Sequence, residues 1–136
     1  MDYSANIPIH FADIIETVRE QKLTELNLSS PPGTKDEDQL HRIPLEVLKF
    51  SWLKKLDLTG NNIEYIPESI GNLANLNKLL LGKNNLQELP GSIGKLTKLN
   101  TLVLGFNKIK TLPKSIGKLS ELTCLFLNSN LKRSQY

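Results

Sequence analysis

The sequence predicts an α/β solenoid, in which short units stack their strands into one parallel sheet. The chain repeats itself with a period of 23 residues, and each copy begins with the pattern L-x-x-L-x-L. Asparagine follows three residues after the third leucine of each copy. A fixed period of this length is the signature of a repeat architecture. The copies begin at Leu53, Leu76, Leu99 and Leu122, and the asparagines are Asn61, Asn84, Asn107 and Asn130.

Each L-x-L segment predicts a short strand, because successive side chains of a strand point to opposite faces. We expect the leucines to point inward and the intervening residues to point outward. An apolar residue then follows each asparagine, at Ile63, Leu86, Ile109 and, one position early, Leu131. An asparagine amide both donates and accepts hydrogen bonds, so the repeated asparagines are expected to satisfy buried backbone groups rather than to bind a ligand.

The return segments of the units also repeat, as IPESIGNL, LPGSIGKL and LPKSIGKL. Proline removes a backbone donor, and glycine weakens a helix. We therefore expect 3₁₀ turns or extended chain on the back of the solenoid instead of long α-helices. Gly71, Gly94 and Gly117 are interpreted as turn residues of the repeat and not as a phosphate-binding loop.

These motifs resemble the leucine-rich-repeat family over residues 23–131. The return segments are similar to the intracellular Ras-group type and to repeats of bacterial effectors and Roco proteins. The resemblance implies a right-handed arc with a concave parallel sheet and a 3₁₀ or extended convex side. It also implies a non-enzymatic module that binds another protein, with small GTPases or other signalling proteins as the partner class. A translocated bacterial effector fits the same resemblance.

One domain, residues 1–136, is expected. It divides into an N-terminal helical cap (1–22), a divergent repeat with an insertion (23–52), three 23-residue repeats (53–121) and a partial last repeat (122–136). The insertion has seven residues and lies within residues 29–38.

Both ends of the stack carry specific expectations. Phe11, Ile14, Ile15 and Val18 share one face of a helix predicted over 8–21, which would cover the first repeat. In the divergent repeat, Asp38 stands where asparagine stands elsewhere, and Leu40 stands where Ile63 does.

At the other end, no amphipathic helix follows the last leucines in the sequence. Either Leu131 and Tyr136 fold back as a small cover, or another molecule covers this end. The second alternative predicts self-association through the C-terminal end as a symmetric dimer, because an uncovered repeat end exposes an unpaired strand edge. The protein is thus expected to be a monomer or an end-to-end dimer.

Charge is distributed unevenly along the chain. Residues 1–68 hold 7 Lys/Arg against 12 Asp/Glu, and residues 69–136 hold 10 against 2, which gives −5 and +8. A solubilising surface and an electrostatically steered partner surface both fit this distribution. A nucleic-acid site is disfavoured, because the basic residues lack interleaved aromatic side chains for stacking on bases.

Cys124 is the one cysteine, so no intrachain disulfide is possible and a reducing compartment is expected. The cytoplasm, or a host cytosol after translocation, is the predicted location, and no signal peptide or membrane span is expected. His10, His41 and Cys124 are too scattered to form a zinc site or a Cys–His dyad. Asp36, Glu37 and Asp38 are interpreted as a solvated loop. No cofactor and no catalytic residues are therefore predicted.

The partner site is expected on the concave face, toward the C-terminal strands. The outward positions change from charged to apolar along the stack, and exposed apolar patches of this kind often mark interaction sites. We predict that Leu80, Val103, Phe106 and Phe126 lie together there, with a charged rim beside them. The full predicted set is Lys55, Asp57, Lys78, Leu80, Lys83, Thr101, Val103, Phe106, Cys124 and Phe126. A preference of β-forming residues for strands is the alternative explanation, and the basic back around Lys95, Lys110, Lys114 and Lys118 is the second candidate surface.

Overall fold

Five short strands lie side by side in one parallel sheet, in the order in which they occur along the chain. The computed structural model describes residues 7–131. One α-helix, α1 (Ile9–Gln21), precedes the sheet. The strands are β1 (Glu25–Asn27), β2 (Lys55–Asp57), β3 (Lys78–Leu80), β4 (Thr101–Val103) and β5 (Cys124–Phe126). This order confirms the predicted solenoid.

The strand register follows the sequence repeat. Leu56 lies beside Leu79, and Leu79 lies beside Leu102, so successive strands are offset by one 23-residue unit. Leu26 lies beside Leu56, at the longer offset that the insertion produces. The leucines of the inner strands are almost completely buried and form one continuous core. The inward leucine pattern is therefore confirmed for β1 to β4.

Short 3₁₀ helices form the back of the solenoid, as the proline and glycine content predicted. Their bounds are Leu45–Lys49, Glu68–Asn72, Gly91–Lys95 and Lys114–Lys118. Each follows a proline; for example, the carbonyl of Pro90 accepts a hydrogen bond from the N–H of Ile93 at 3.1 Å. A Cβ atom on Gly94 would lie 2.8 Å from the carbonyl oxygen of Ser115, so glycine allows adjacent repeats to approach closely.

The asparagines link adjacent repeats through buried hydrogen bonds, as expected. The Asn84 Oδ1 atom accepts from the N–H of Ile63 at 3.0 Å. Its Nδ2 atom donates to the carbonyls of Leu58 at 3.0 Å and Leu81 at 3.1 Å. The carbonyl of Leu58 also accepts from Asn61 Nδ2, so it is shared by two successive asparagines. Each asparagine thus stabilises the turn of its own repeat and the repeat before it.

Helix α1 packs on β1 with a narrower apolar face than the sequence predicted. Phe11, Ile15 and Val18 are buried in the core, whereas Ile14 is 39% exposed. Ile14 lies one position before Ile15 and is therefore rotated about 100° away from it around the helix. Arg19 donates a hydrogen bond to the carboxylate of Glu16, which lowers the pKa of Glu16.

The segment between β1 and β2 attaches to the second repeat through Asn61. The Ser30 hydroxyl donates to Asn61 Oδ1 at 2.8 Å, and the N–H of Leu40 donates to the same atom at 2.8 Å. Leu40 therefore takes the place of Ile63, as predicted. The assignment of Asp38 to the asparagine position is wrong, since Asp38 is exposed within the 3₁₀ helix Asp36–Asp38. Among the described residues, no strand precedes β1 for such an asparagine to join.

The last repeat is less well covered than the others. Leu125 of β5 is 38% exposed, while its neighbour Leu102 is fully buried. Leu131 is 46% exposed and does not enter the core as Ile63 and Leu86 do. The Asn130 Oδ1 atom still accepts a hydrogen bond from Ile109 N–H, so Asn130 occupies the usual asparagine position. Leu131 directly follows it, one position earlier than in the other repeats, and therefore does not align with the buried Ile63 and Leu86. Tyr136 lies outside the described residues.

Candidate functional site

The outward side chains of the strands form two straight rows across the sheet. In one row Lys55 lies beside Lys78, followed by Thr101 and Cys124. In the other row Asp57, Leu80, Val103 and Phe126 lie beside one another in that order. The structure thus brings together eight of the ten residues predicted from the sequence, and both rows become less charged toward β5.

The apolar side chains of these rows differ in how much they are exposed. Phe126 is 53% exposed, because it lies in the edge strand β5 and has a neighbouring strand, β4, on one side only. Leu80 and Val103 are half-buried, less exposed than predicted, since strands lie about 4.8 Å away on both sides of each. The contiguous apolar surface therefore widens toward β5. We call Leu80, Val103, Phe106 and Phe126 the apolar patch.

Phe106 and Lys83 belong to the turns that follow β4 and β3. Their φ angles are 58° and 55°, in the left-handed region that glycine adopts most easily, and Gly60 occupies the corresponding position after β2 with φ 79°. The same conformation recurs at Ser129, with φ 62°, so it belongs to the turn of the repeat; in this turn the N–H of Phe106 donates to the carbonyl of Asn128 at 3.0 Å. The bulky Phe106 ring is 55% exposed at a position where glycine would be less strained.

A cation lies near the Phe106 ring. Lys83 Nζ is 5.9 Å from the ring centroid, within the range of a weak cation–π interaction. The two remaining predicted residues thus lie near each other, in the turns that follow the middle strands β3 and β4. The left-handed conformation was missed from the sequence, and the only signal for it was Gly60 at the equivalent position.

Two polar outward residues have local structural roles. Asp57 Oδ1 accepts a hydrogen bond from the N–H of Thr59 at 3.0 Å, and Asn27 Oδ1 accepts from Ser29 N–H at 2.9 Å. Both bonds fix the turn directly after a strand. Asp57 is therefore a turn residue as well as a member of the predicted charged rim. Thr101 likewise donates its hydroxyl to Asn100 Oδ1 at 2.9 Å.

The groups that sequence analysis considered for catalysis lie far apart from one another. His41 Nε2 lies 3.3 Å from Asp36 Oδ1 at the insertion, while Cys124 lies in β5 at the far edge of the sheet. Over residues 7–131, no cluster of three or more His, Cys, Asp or Glu side chains is arranged to hold a metal ion. In the same part of the chain, no helix has both the length and the apolar character needed to cross a bilayer.

Comparisons with known proteins agree with the repeat. Residues 70–135 match the family model described as a leucine-rich repeat region, and residues 52–73 match the single leucine-rich repeat. A search of curated proteins gives no significant match.

Two solved structures share the fold. A leucine-rich-repeat protein of Leptospira interrogans is 36% identical, with a TM-score of 0.76, over 87% of this chain and 28% of that one. An internalin of Listeria monocytogenes is 23% identical, with a TM-score of 0.71, over 90% of this chain and 33% of that one. The chain therefore spans about a third or less of the length of these two structures.

Proposed function

This chain is a leucine-rich-repeat protein, and we propose that it is a non-enzymatic module that binds a partner protein through the concave face of its sheet. The apolar patch is the single observation that carries the proposal. Leu80, Val103 and Phe126 occupy adjacent positions of one row, and the exposed Phe106 lies three residues after Val103, in the turn that follows β4. Clustered exposed aromatic side chains are typical anchors of protein interfaces.

The strained turn supports a binding role for Phe106. A left-handed conformation costs an L-residue roughly 1–2 kcal/mol, and glycine avoids that cost. Packing gives little in return, because more than half of the Phe106 side chain is exposed to solvent. The turn is left-handed at Gly60, Lys83 and Ser129 as well, so the conformation belongs to the repeat, and the exposed aromatic ring is what distinguishes Phe106. A contact between the ring and a partner explains why this position holds phenylalanine.

The charges around the apolar patch define the partner's chemistry. Lys55, Lys78 and Lys83 lie on the side of the patch toward β2 and β3, with Asp57 among them. We expect a protein surface with an apolar side chain at its centre and carboxylates along one rim. A small GTPase or another signalling protein of the cytoplasm, or of a host cytosol, fits the family resemblance and remains a prediction.

Site-specific photo-crosslinking tests the proposal. A photoreactive phenylalanine analogue at Phe126 should crosslink to one defined protein, while the same analogue at the exposed Tyr65, outside the strands, should not. The partner is then purified, and its affinity is measured by calorimetry for the parent chain, for Phe126→Ala combined with Val103→Asp, and for Tyr65→Ala.

We expect the double variant to bind at least about 30-fold more weakly, because truncating an aromatic anchor costs about 2 kcal/mol or more. The melting temperature should stay nearly unchanged for all variants. If the double variant binds as tightly as the parent chain, the concave face is not the site. The basic back around Lys95, Lys110, Lys114 and Lys118 is then the surface to test.

A further inference from the structure

The two ends of the solenoid carry opposite charges. Residues 7–38 hold three basic and seven acidic side chains, a net charge of −4, whereas residues 105–131 hold four basic and one acidic, a net charge of +3. Rows on the back change in the same direction from repeat to repeat. Glu64, Gln87 and Lys110 form one such row, and Glu68, Gly91 and Lys114 form another. The charge therefore varies along the axis of the stack.

The basic end has an open apolar groove. Its volume is about 360 Å³, and it is lined by Ile109, Leu112, Leu127 and Leu131 together with Lys110, Thr111 and Asn130. In the preceding repeats the next unit covers the equivalent surface, as when the N–H of Leu104 donates to the carbonyl of Phe126 at 2.8 Å. Among residues 7–131 no strand lies beyond β5. Over the described residues, this end thus combines partly exposed leucines with a positive charge.

The acidic end presents a complementary helix face. Helix α1 buries Phe11, Ile15 and Val18, so its opposite side faces away from the sheet. Ile9, Asp13 and Glu20 lie on that opposite side, because offsets of four and eleven residues return to nearly the same helix face. Ile9 is 86% exposed, and both carboxylates are exposed as well. One exposed apolar side chain thus shares a helix face with two acidic groups, one turn and about three turns further along the helix.

We infer that the occupant of the groove is a second copy of this chain, bound through the outer face of its α1 helix. Ile9 supplies the apolar side chain, and Asp13 and Glu20 pair with the lysines around the groove. A symmetric contact between two C-terminal ends is disfavoured, because it would place Lys110 and Lys114 of both copies close together. A head-to-tail contact leaves one free end of each kind, so it extends into open chains. The inference uses none of the residues of the apolar patch and can fail independently of the concave-face proposal.

Sedimentation of the full chain at increasing concentration tests this inference. We expect the average mass to exceed that of a dimer at high concentration, with dissociation constants of about 10 µM to 1 mM, typical of small transient contacts. Added salt should weaken the association, because exposed charges are screened.

Charge-reversal variants identify the two surfaces. The helix variant carries Asp13→Lys and Glu20→Lys, and the end variant carries Lys110→Glu and Lys114→Glu. Each alone should associate at least tenfold more weakly than the parent chain. Their equimolar mixture, and a chain with all four substitutions, should associate again. A control with Lys54→Glu and Lys98→Glu changes the net charge as much as the end variant and should associate like the parent chain.

Several results would overturn the inference. A helix variant that associates as strongly as the parent chain would show that α1 is not the occupant and would favour the symmetric contact. A parent chain that stays monomeric at millimolar concentration would exclude a second copy, leaving residues 132–136 of the same chain as the occupant to test. Failure of the mixture to restore association would show that the two surfaces do not contact each other. Circular dichroism of each variant verifies that it is folded.

Discussion

Replacing Asn84 by alanine tests whether the asparagines hold the repeats together. Asn84 is only 7% exposed, and its amide accepts from Ile63 N–H and donates to the carbonyls of Leu58 and Leu81. The variant leaves both carbonyls with another donor, because Asn61 also bonds to Leu58 and Asn107 also bonds to Leu81. The N–H of Ile63 is the group that loses its partner.

The loss of stability expected for Asn84→Ala comes mainly from the Ile63 N–H, which is left without a partner. A buried donor without a partner costs about 1–3 kcal/mol, and the lost amide bonds contribute about 1 kcal/mol more in total, so we expect a loss of about 2–4 kcal/mol for Asn84→Ala. Asn130→Ala removes the same kind of bond from Ile109 N–H, but at the partly exposed last turn. Water can replace the amide there, so the expected loss is about 0.5–1.5 kcal/mol.

Urea unfolding followed by circular dichroism measures both losses. The midpoint should fall more for Asn84→Ala than for Asn130→Ala, with an unchanged slope, since the slope reports the surface exposed on unfolding. Equal losses for the two variants would refute the reasoning. They would mean that burial of the orphaned N–H does not determine the cost.

Three further substitutions test other parts of the fold. Leu102→Ala, in the fully buried row of β4, should lose about 2–5 kcal/mol, and a thermal melt within a couple of degrees of the parent chain would contradict the inward register. Gly94→Ala should be destabilised by about 1–3 kcal/mol, because the added Cβ atom would clash with the backbone of Ser115 in the next repeat. Gly117→Ala should change the unfolding midpoint little, because no atom lies within 4 Å of the added Cβ atom there. Phe106→Gly relieves the left-handed turn and should be neutral or about 1 kcal/mol more stable while it weakens partner binding. Ser129→Gly relieves the same strain outside the predicted site, and comparable binding losses in both variants would argue against a specific role for the ring.

The sequence repeat predicted most of the fold, because the same leucine pattern recurs every 23 residues and each copy supports the assignment of the others. The leucine positions of three full units fixed the strand register, so the neighbours of Leu79 and Val103 followed from counting. The same count failed where the repeat is imperfect. Leu131, which comes one position early, is 46% exposed instead of buried, and Asp38, which stands at the asparagine position of the first unit, is exposed in a 3₁₀ helix.

The candidate site was predicted in position but not in detail. Counting placed Leu80 beside Val103, yet it gave no measure of how far adjacent strands cover such side chains. The left-handed turn recurs at Lys83, Phe106 and Ser129, which carry three different side chains, so the residue type at this position did not reveal it. Glycine stands at the corresponding position only at Gly60, and one glycine among four turns is a weak signal.

The shared carbonyls of the asparagine turns have a consequence for how the protein opens. Because Leu58 and Leu81 each accept from the asparagines of two successive repeats, melting of one repeat removes bonds from its neighbour as well. Interactions between nearest neighbours make a repeat array unfold as a cooperative unit. The last repeat, which contains β5, is the exception. Among the described residues, the carbonyl of Leu127 accepts from the single asparagine Asn130, and the leucines of this repeat are partly exposed. Local opening should therefore begin there, so amide hydrogen exchange decreases from β5 toward the inner strands. A contact that covers this end would slow exchange across the whole solenoid.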